Sequence, residues 1–199
     1  MAETVLHLVR HAVHDRVGEV LCGRMAGVRL AAEGQAQAAR LGERLARAAP
    51  DALWSSPRER ALETAECITR ACGLALQVTP ALDEIDYGAW TGQPFAALTD
   101  DAHWRRWNAA RGVERPPGGE SMAAAQHRVW HWALAQAALN LGARLVAVSH
   151  ADVIKAAIAA ALGLTLDAHW RFEIAPASIS AIALQDGIAR VLQVNEVTA

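Results

Sequence analysis

Cysteine is scarce and odd in number. Cys22, Cys67 and Cys72 form no CxxC pair, which argues against a structural disulfide and fits a reducing compartment. Excess charge is missing too: 19 Lys and Arg stand against 21 Asp and Glu, for a formal net charge of -2. No basic field therefore calls for nucleic acid or anionic lipid, and an anionic ligand must be held by a local cluster of arginines. Long apolar runs are absent. The most apolar late stretch, Val153 to Leu164, carries Lys155 and falls short of the about 20 residues that a membrane span needs. The first residues, MAETVLHLVRH, lack a basic region ahead of an apolar core, so they do not read as a signal peptide. The expectation is a cytoplasmic protein with no membrane association. Its 199 residues, 53% hydrophobic and 20% charged, suit one substantial globular domain over 1–199.

Apolar periodicity supplies the element order. Thr4 to Val9 reads as a buried strand ending at Arg10-His11. A helix over about Glu33 to Ala48 puts Ala38, Leu41, Leu45 and Ala48 on one face. Ala52 to Ser55 is a second strand. Pro57 suits the first turn of the next helix, whose stripe is Ala61, Ala65, Ile68 and Cys72. Leu74 to Val78 is a third strand. Pro80 to Gly119 holds Tyr87, Trp90, Trp104 and Trp107 without one sustained period, so it reads as a loop-and-short-helix segment covering one end of the sheet. Its tryptophans are candidates for lid packing or for a pocket wall. A helix from Glu120 to about Asn140, a strand at Leu145 to Val148 and a helix at Asp152 to Leu162 follow. Strands are expected at Trp170 to Ile174, Ser178 to Leu184 and Ile188 to Val194, the last two joined at Asp186-Gly187. The fold class is α/β: a three-layer α/β/α sandwich with a mostly parallel sheet and an antiparallel edge.

In such sheets ligands bind beyond the carboxyl ends of the strands. Arg10-His11, Ser149-His150 and Ser55-Ser56-Pro57-Arg58 each follow a strand, which delivers two imidazoles and two guanidiniums to one edge. Metal-free phosphoryl transfer needs fixed cations around three oxygens, and arginine meets phosphate bidentately. It also needs a nucleophile, which a neutral imidazole provides, and a carboxylic acid to protonate the leaving oxygen. Glu84 sits in the loop after the third strand, with Asp83 and Asp86 as neighbouring carboxylates open to the same role or to solvation.

Five segments carry a family resemblance. Leu8-Val9-Arg10-His11 resembles the N-terminal signature of the histidine phosphatase superfamily, which includes cofactor-dependent phosphoglycerate mutases. Ser55 through Ala65 resembles its second arginine motif, and Leu82 through Gly92 its acid-bearing loop. Pro117-Gly118-Gly119-Glu120-Ser121 and Val148-Ser149-His150 are similar to its helix-opening turn and second histidine motif. The resemblance implies a phosphoglycerate mutase-like fold, with His11 as phosphorylated nucleophile and Glu84 as general acid and then base. It implies that Arg10, Arg58 and His150 hold the phosphoryl oxygens, with Gly23, Arg24 and the Ala151 backbone as further substrate contacts. Ala12, His14, Val17 and Ala151 depart from the family pattern, and Val17 has no hydrogen bond to offer a phosphate.

The implied function is a metal-independent phosphomonoesterase for a phosphorylated small molecule, with no cofactor. Phosphoglycerate mutase-type transfer is one alternative. Arg105, Arg106, Arg111 and Arg115 do not reproduce a recognisable mutase pattern. A catalytically silent phosphoryl-ligand binding module is the other. His11 with His14, and His127 with His131 at i, i+4, are the candidate metal pairs; neither makes a full ligand set in sequence, and no metal is expected. Cys22 reads as a small buried or loop thiol.

Overall fold

The computed structural model describes residues 2–197 and contains six strands in one sheet. The strands are β1 (Thr4–Arg10), β2 (Ala52–Ser55), β3 (Leu76–Val78), β4 (Arg144–Ser149), β5 (Ser178–Gln185) and β6 (Ile188–Val197). The helices are α1 (Ala32–Ala46), α2 (Glu59–Cys72), α3 (Phe95–Thr99), α4 (Ala102–Ala109), α5 (Met122–Leu139) and α6 (Ala151–Leu162). The sheet order is β3-β2-β4-β1-β5-β6. The first four strands are mutually parallel, and β5 and β6 run antiparallel at one side.

Strand period 2 sorts the core into two layers. Leu6 and Leu8 of β1, Trp54 of β2 and Leu145 and Ala147 of β4 face a cluster with Val129 and Trp132 of α5 and Ile154 and Ala157 of α6. Val9, Leu53, Val146 and Val148 face the other way, onto Leu41 and Leu45 of α1 and Ala61, Ala65 and Ile68 of α2. A sheet buried on both faces is what a helix-connected parallel sheet requires. No helix among the described residues is long and apolar enough to cross a membrane.

Most expected elements are present, with three differences. First, α1 ends at Ala46, so Ala48 lies beyond its apolar face. Second, Pro57 lies outside α2, whose N-cap is Arg58. Third, no strand forms at Trp170–Ile174. Leu166–Arg171 is a 3-10 helix, and the sheet position beside β1 is already taken by β5. Side chains then occupy the following backbone: Arg10 Nη1 donates to Ile174 O at 2.6 Å, and Ala175 N donates to Asn195 Oδ1 at 2.6 Å. At the β5–β6 turn, Asp186 and Gly187 both have positive φ (52° and 78°), as a two-residue hairpin of that twist needs.

The covering segment packs on itself. Trp90 meets Trp104 and Trp107 at ring separations of 5.3 and 5.9 Å, and Tyr87 meets Trp107 edge-on at 5.5 Å. These tryptophans are therefore lid packing. The segment is clamped to the turn before α5: Ala89 N donates to Pro117 O at 3.0 Å, and Glu120 N to Asp86 O at 2.7 Å. The approach is so close that a Cβ on Gly88 would lie 2.1 Å from Pro117 O, at a φ of +52°. Gly88→Ala should therefore cost about 1–3 kcal/mol through overpacking. Gly163→Ala has a similar φ of +64° but open space, and should cost less. Urea midpoints check the order, and equal losses would contradict the clamp.

Candidate active site

Parallel β1, β2 and β4 bring their carboxyl ends to one edge, where a cavity of about 190 Å³ opens. Arg10, His11, Gly23, Glu84 and Ala151 line it, and His150 is buried beneath it. His11 Nδ1 lies 2.9 Å from Ala12 O. A carbonyl only accepts, so Nδ1 carries the proton and Nε2 keeps its lone pair. Burial and the Arg60 and Arg10 charges push the His11 pKa well below the ordinary histidine value, so the ring is neutral. The backbone is pinned on both sides: His11 N donates to Ser149 O at 3.0 Å, and Ala12 N to Thr64 Oγ1 at 3.1 Å.

Arg60, not Arg58, is the guanidinium beside His11. Arg60 is 1% exposed. Its Nε donates to His11 Nε2 at 3.3 Å, and its Nη2 to Gly23 O at 2.8 Å and His150 Nδ1 at 3.1 Å. Its Nη1, like Arg10 Nε, is a buried donor with no partner. Arg58 precedes the first turn of α2 and points elsewhere. It pairs with Asp83 (Nη2 to Oδ2 3.0 Å) and donates to Arg24 O at 2.8 Å. The helix period could have found Arg60, because Thr64 and Ile68 follow it at i+4 and i+8 on the inward face of α2.

His150 is fully buried, 5.1 Å from His11 between ring centres. Because Arg60 donates to Nδ1, the proton of the neutral ring sits on Nε2. It is donated to Ser56 Oγ at 2.8 Å, which in turn faces Asp83 Oδ1 at 3.4 Å. Burial and Arg60 hold the His150 pKa well below the usual range. Ala151 opens α6, so its backbone N–H is among those a helix start leaves without an intrahelical acceptor.

The three loop carboxylates separate cleanly. Asp83 takes Arg58, and Asp86 accepts from Gly88 N at 2.9 Å. Glu84 alone lines the cavity, with Oε2 3.8 Å from His150 Nδ1. Burial and then the nearby Asp152 charge raise its pKa to about 7. Asp152 was not foreseen. It lines the cavity from the first turn of α6, accepting from Tyr87 Oη at 2.7 Å and Arg111 Nη1 at 2.6 Å. Burial alone would raise Asp152, but Arg111 and the Tyr87 hydroxyl hold it below the ordinary aspartate value.

Arg24 is not brought to the cavity. It donates to the Glu84 carbonyl at 2.8 Å and to Glu120 at 3.0 Å, while Arg128 binds the other side of Glu120 and also reaches Glu84 O at 3.3 Å. Arg24 thus braces the Glu84 loop from behind. Gly23 lines the cavity and anchors Arg60 through its carbonyl. Cys22 lines the cavity with its pKa raised by burial, so its thiol stays protonated. His127 and His131 are exposed, and no group of three or more metal-ligating side chains occurs among the described residues.

Residues 6–197 match the profile of the Histidine phosphatase superfamily (branch 1). The chain belongs to this superfamily. It is 34% identical to the "Probable phosphoglycerate mutase GpmB" of Salmonella paratyphi C over 185 residues, covering 91% of this chain and 85% of that one. Among solved structures, a mycobacterial glucosyl-3-phosphoglycerate phosphatase superposes with a TM-score of 0.89 at 25% identity, covering 97% and 99% of the two chains. A protein described as mycobacterial hydrolase 2 reaches 0.91 at 25% identity, covering 100% of this chain and 93% of that one. Phosphatase and mutase names thus both occur among the histidine phosphatases that resemble it.

The Asp152 charge should be felt by Glu84. Asp152→Asn removes a like charge and leaves Arg111 unneutralised, and both changes favour the Glu84 carboxylate. Carbon-13 NMR titration of the Glu84 carboxyl should show its midpoint moving to lower pH; an upward shift would contradict the geometry.

Proposed function

We propose that the chain is a metal-independent phosphomonoesterase acting through a phosphohistidine on His11. The observation that carries this reading is the unprotonated His11 Nε2, which accepts from a guanidinium that has an unpartnered donor, and a carboxyl in the same cavity whose pKa is about 7. Nε2 attacks phosphorus, the N–P bond forms and the ester P–O bond breaks. Glu84, protonated, gives its proton to the leaving oxygen. The resulting carboxylate takes a proton from water, whose oxygen attacks phosphorus and releases inorganic phosphate from neutral His11. Arg10, Arg60 and the Ala151 N–H hold the phosphoryl oxygens, and His150 is a positioning residue that holds Arg60 through Nδ1. Arg60 takes the role that the motif resemblance assigned to Arg58, and Arg24 supports Glu84 rather than substrate.

The identity to a protein named as a phosphoglycerate mutase favours a second reading, in which the phosphoryl group returns to a bound sugar acid. Arg105, Arg106 and Arg115 do not line the cavity, and Arg111 is bound to Asp152, so hydrolysis is the better supported of the two. A product assay with 3-phosphoglycerate and 2,3-bisphosphoglycerate separates them: no 2-phosphoglycerate is expected, and its formation would establish the mutase.

Arg60→Ala should lower kcat/KM for p-nitrophenyl phosphate by about 10²–10³-fold. Arg58→Ala should lose far less, and the reverse order would return the phosphoryl contact to Arg58. His11→Ala should abolish turnover without unfolding the chain. Excess EDTA should leave the rate unchanged; a loss restored by a divalent ion would contradict the metal-free step.

Glu84→Gln should slow alkyl phosphates by about 10²–10⁴-fold and p-nitrophenyl phosphate much less, because a good leaving group needs no proton. The wild-type rate for alkyl phosphates should fall as pH rises through about 7, as Glu84 loses its proton, while neutral His11 persists into acid. The ratio of wild type to Glu84→Gln, taken at each pH, cancels the substrate's own ionisation. If that ratio did not fall across neutrality, Glu84 would not be the acid.

A further inference from the structure

Beyond the phosphoryl end, the cavity wall has a definite chemical character. Val17, Val20, Leu21 and Phe95 supply apolar surface around its opening. The only arginine or lysine side chains among the described lining residues are Arg10 and Arg60, both beside His11. A phosphoryl group seated at His11 engages both, which leaves no fixed cation for a second anion. The remaining ionisable groups do not supply one. Asp152 is an anion paired with Arg111 at 2.6 Å, and burial and the neighbouring arginines keep His14, which also lines the cavity, uncharged with a pKa of about 4. Next to His14, Asp15 and Arg16 oppose one another in sign, and neither lines the cavity.

From this wall we infer that the substrate is a phosphomonoester of an uncharged alcohol with an apolar alkyl or aryl face, and not the phosphate of a hydroxy acid or a bisphosphate. The inference rests on the phosphatase reading for the phosphoryl end and adds the class of the alcohol. A carboxylate two or three bonds from phosphorus would have to leave water for a surface of Val, Leu and Phe without a cationic partner, a transfer that is strongly unfavourable. An alkyl group of the same length gains by the same transfer. Val17 is the informative position, since its side chain is apolar, on the opening loop and 46% exposed, so a longer side chain can be accommodated there.

Calorimetric binding of two near-isosteric, non-hydrolysable ligands to the wild-type chain tests this directly. Butylphosphonate should bind about tenfold or more tightly than 3-phosphonopropionate, which differs by carrying a carboxylate on the short chain. Val17→Arg should narrow the gap by improving the affinity for 3-phosphonopropionate. Orthovanadate, which has no organic group, reports the phosphoryl end alone. If orthovanadate binds and 3-phosphonopropionate binds as tightly as butylphosphonate or more so, the alcohol class is wrong while the phosphatase reading stands. If orthovanadate does not bind at all, the phosphoryl site itself is wrong and both fall.

Discussion

Arg60 holds a full charge at 1% exposure, and its hydrogen bonds go to two imidazole nitrogens and one carbonyl, with no carboxylate within ion-pair distance among the described residues. Taking an ion out of water is costly unless it is paired. The fold tolerates it here because every acceptor around Arg60 is neutral and directional: His11 Nε2, His150 Nδ1 and Gly23 O. The same contacts decide both tautomers. A guanidinium can only donate, so it demands a bare nitrogen from each ring. The protons are thereby pushed to His11 Nδ1, facing Ala12 O, and to His150 Nε2, facing Ser56. A cation without its anion is also a reason to bind one, and a phosphoryl group would complete the charge balance that folding leaves open.

The rest of the architecture keeps that arrangement in place. Three parallel strand ends set the spacing of Arg10-His11, Ser56 and His150, and α2 carries Arg60 inward one turn later. Glu84 comes from an irregular segment and needs separate bracing. Arg24 and Arg128 both donate to its carbonyl, Glu120 holds both arginines, and Glu120 is itself hung from Asp86 O by the glycine clamp. Bracing of this kind matters because a general acid works only within hydrogen-bond reach of its target. Next to it, Asp152 contributes charge rather than contact, lifting the Glu84 pKa toward neutrality.

Much of this was legible in the residues. Alternating apolar strands and helices implied the layered sheet, and the strand-end positions of His11 and His150 implied a shared edge, because side-chain period and the carboxyl-end rule are local and general. What was not legible depended on the partners a side chain finds. Arg60 was open to the helix period, in phase with Thr64 and Ile68, whereas the pairing that turns Arg58 away to Asp83 was not. The resemblance makes Arg24 a substrate contact, but it meets Glu84 O and Glu120 first. Asp152 carries no motif signal, since its role comes from Arg111 and Tyr87, distant in sequence. Trp170 to Ile174 has strand-like residues, yet the place beside β1 is taken by β5 and Leu166–Arg171 winds into a 3-10 helix.

The central claim is that His11 Nε2 is the atom that takes the phosphoryl group. Rapid acid-free quenching of the wild-type chain during turnover, followed by phosphorus–nitrogen correlated NMR on nitrogen-15 histidine-labelled protein, observes that atom directly. The account predicts a single acid-labile, base-stable phosphoramidate on His11, bonded through Nε2, because Nδ1 carries the proton held by Ala12 O. Phosphate attached to Nδ1, to another residue, or to no residue while turnover proceeds would contradict it.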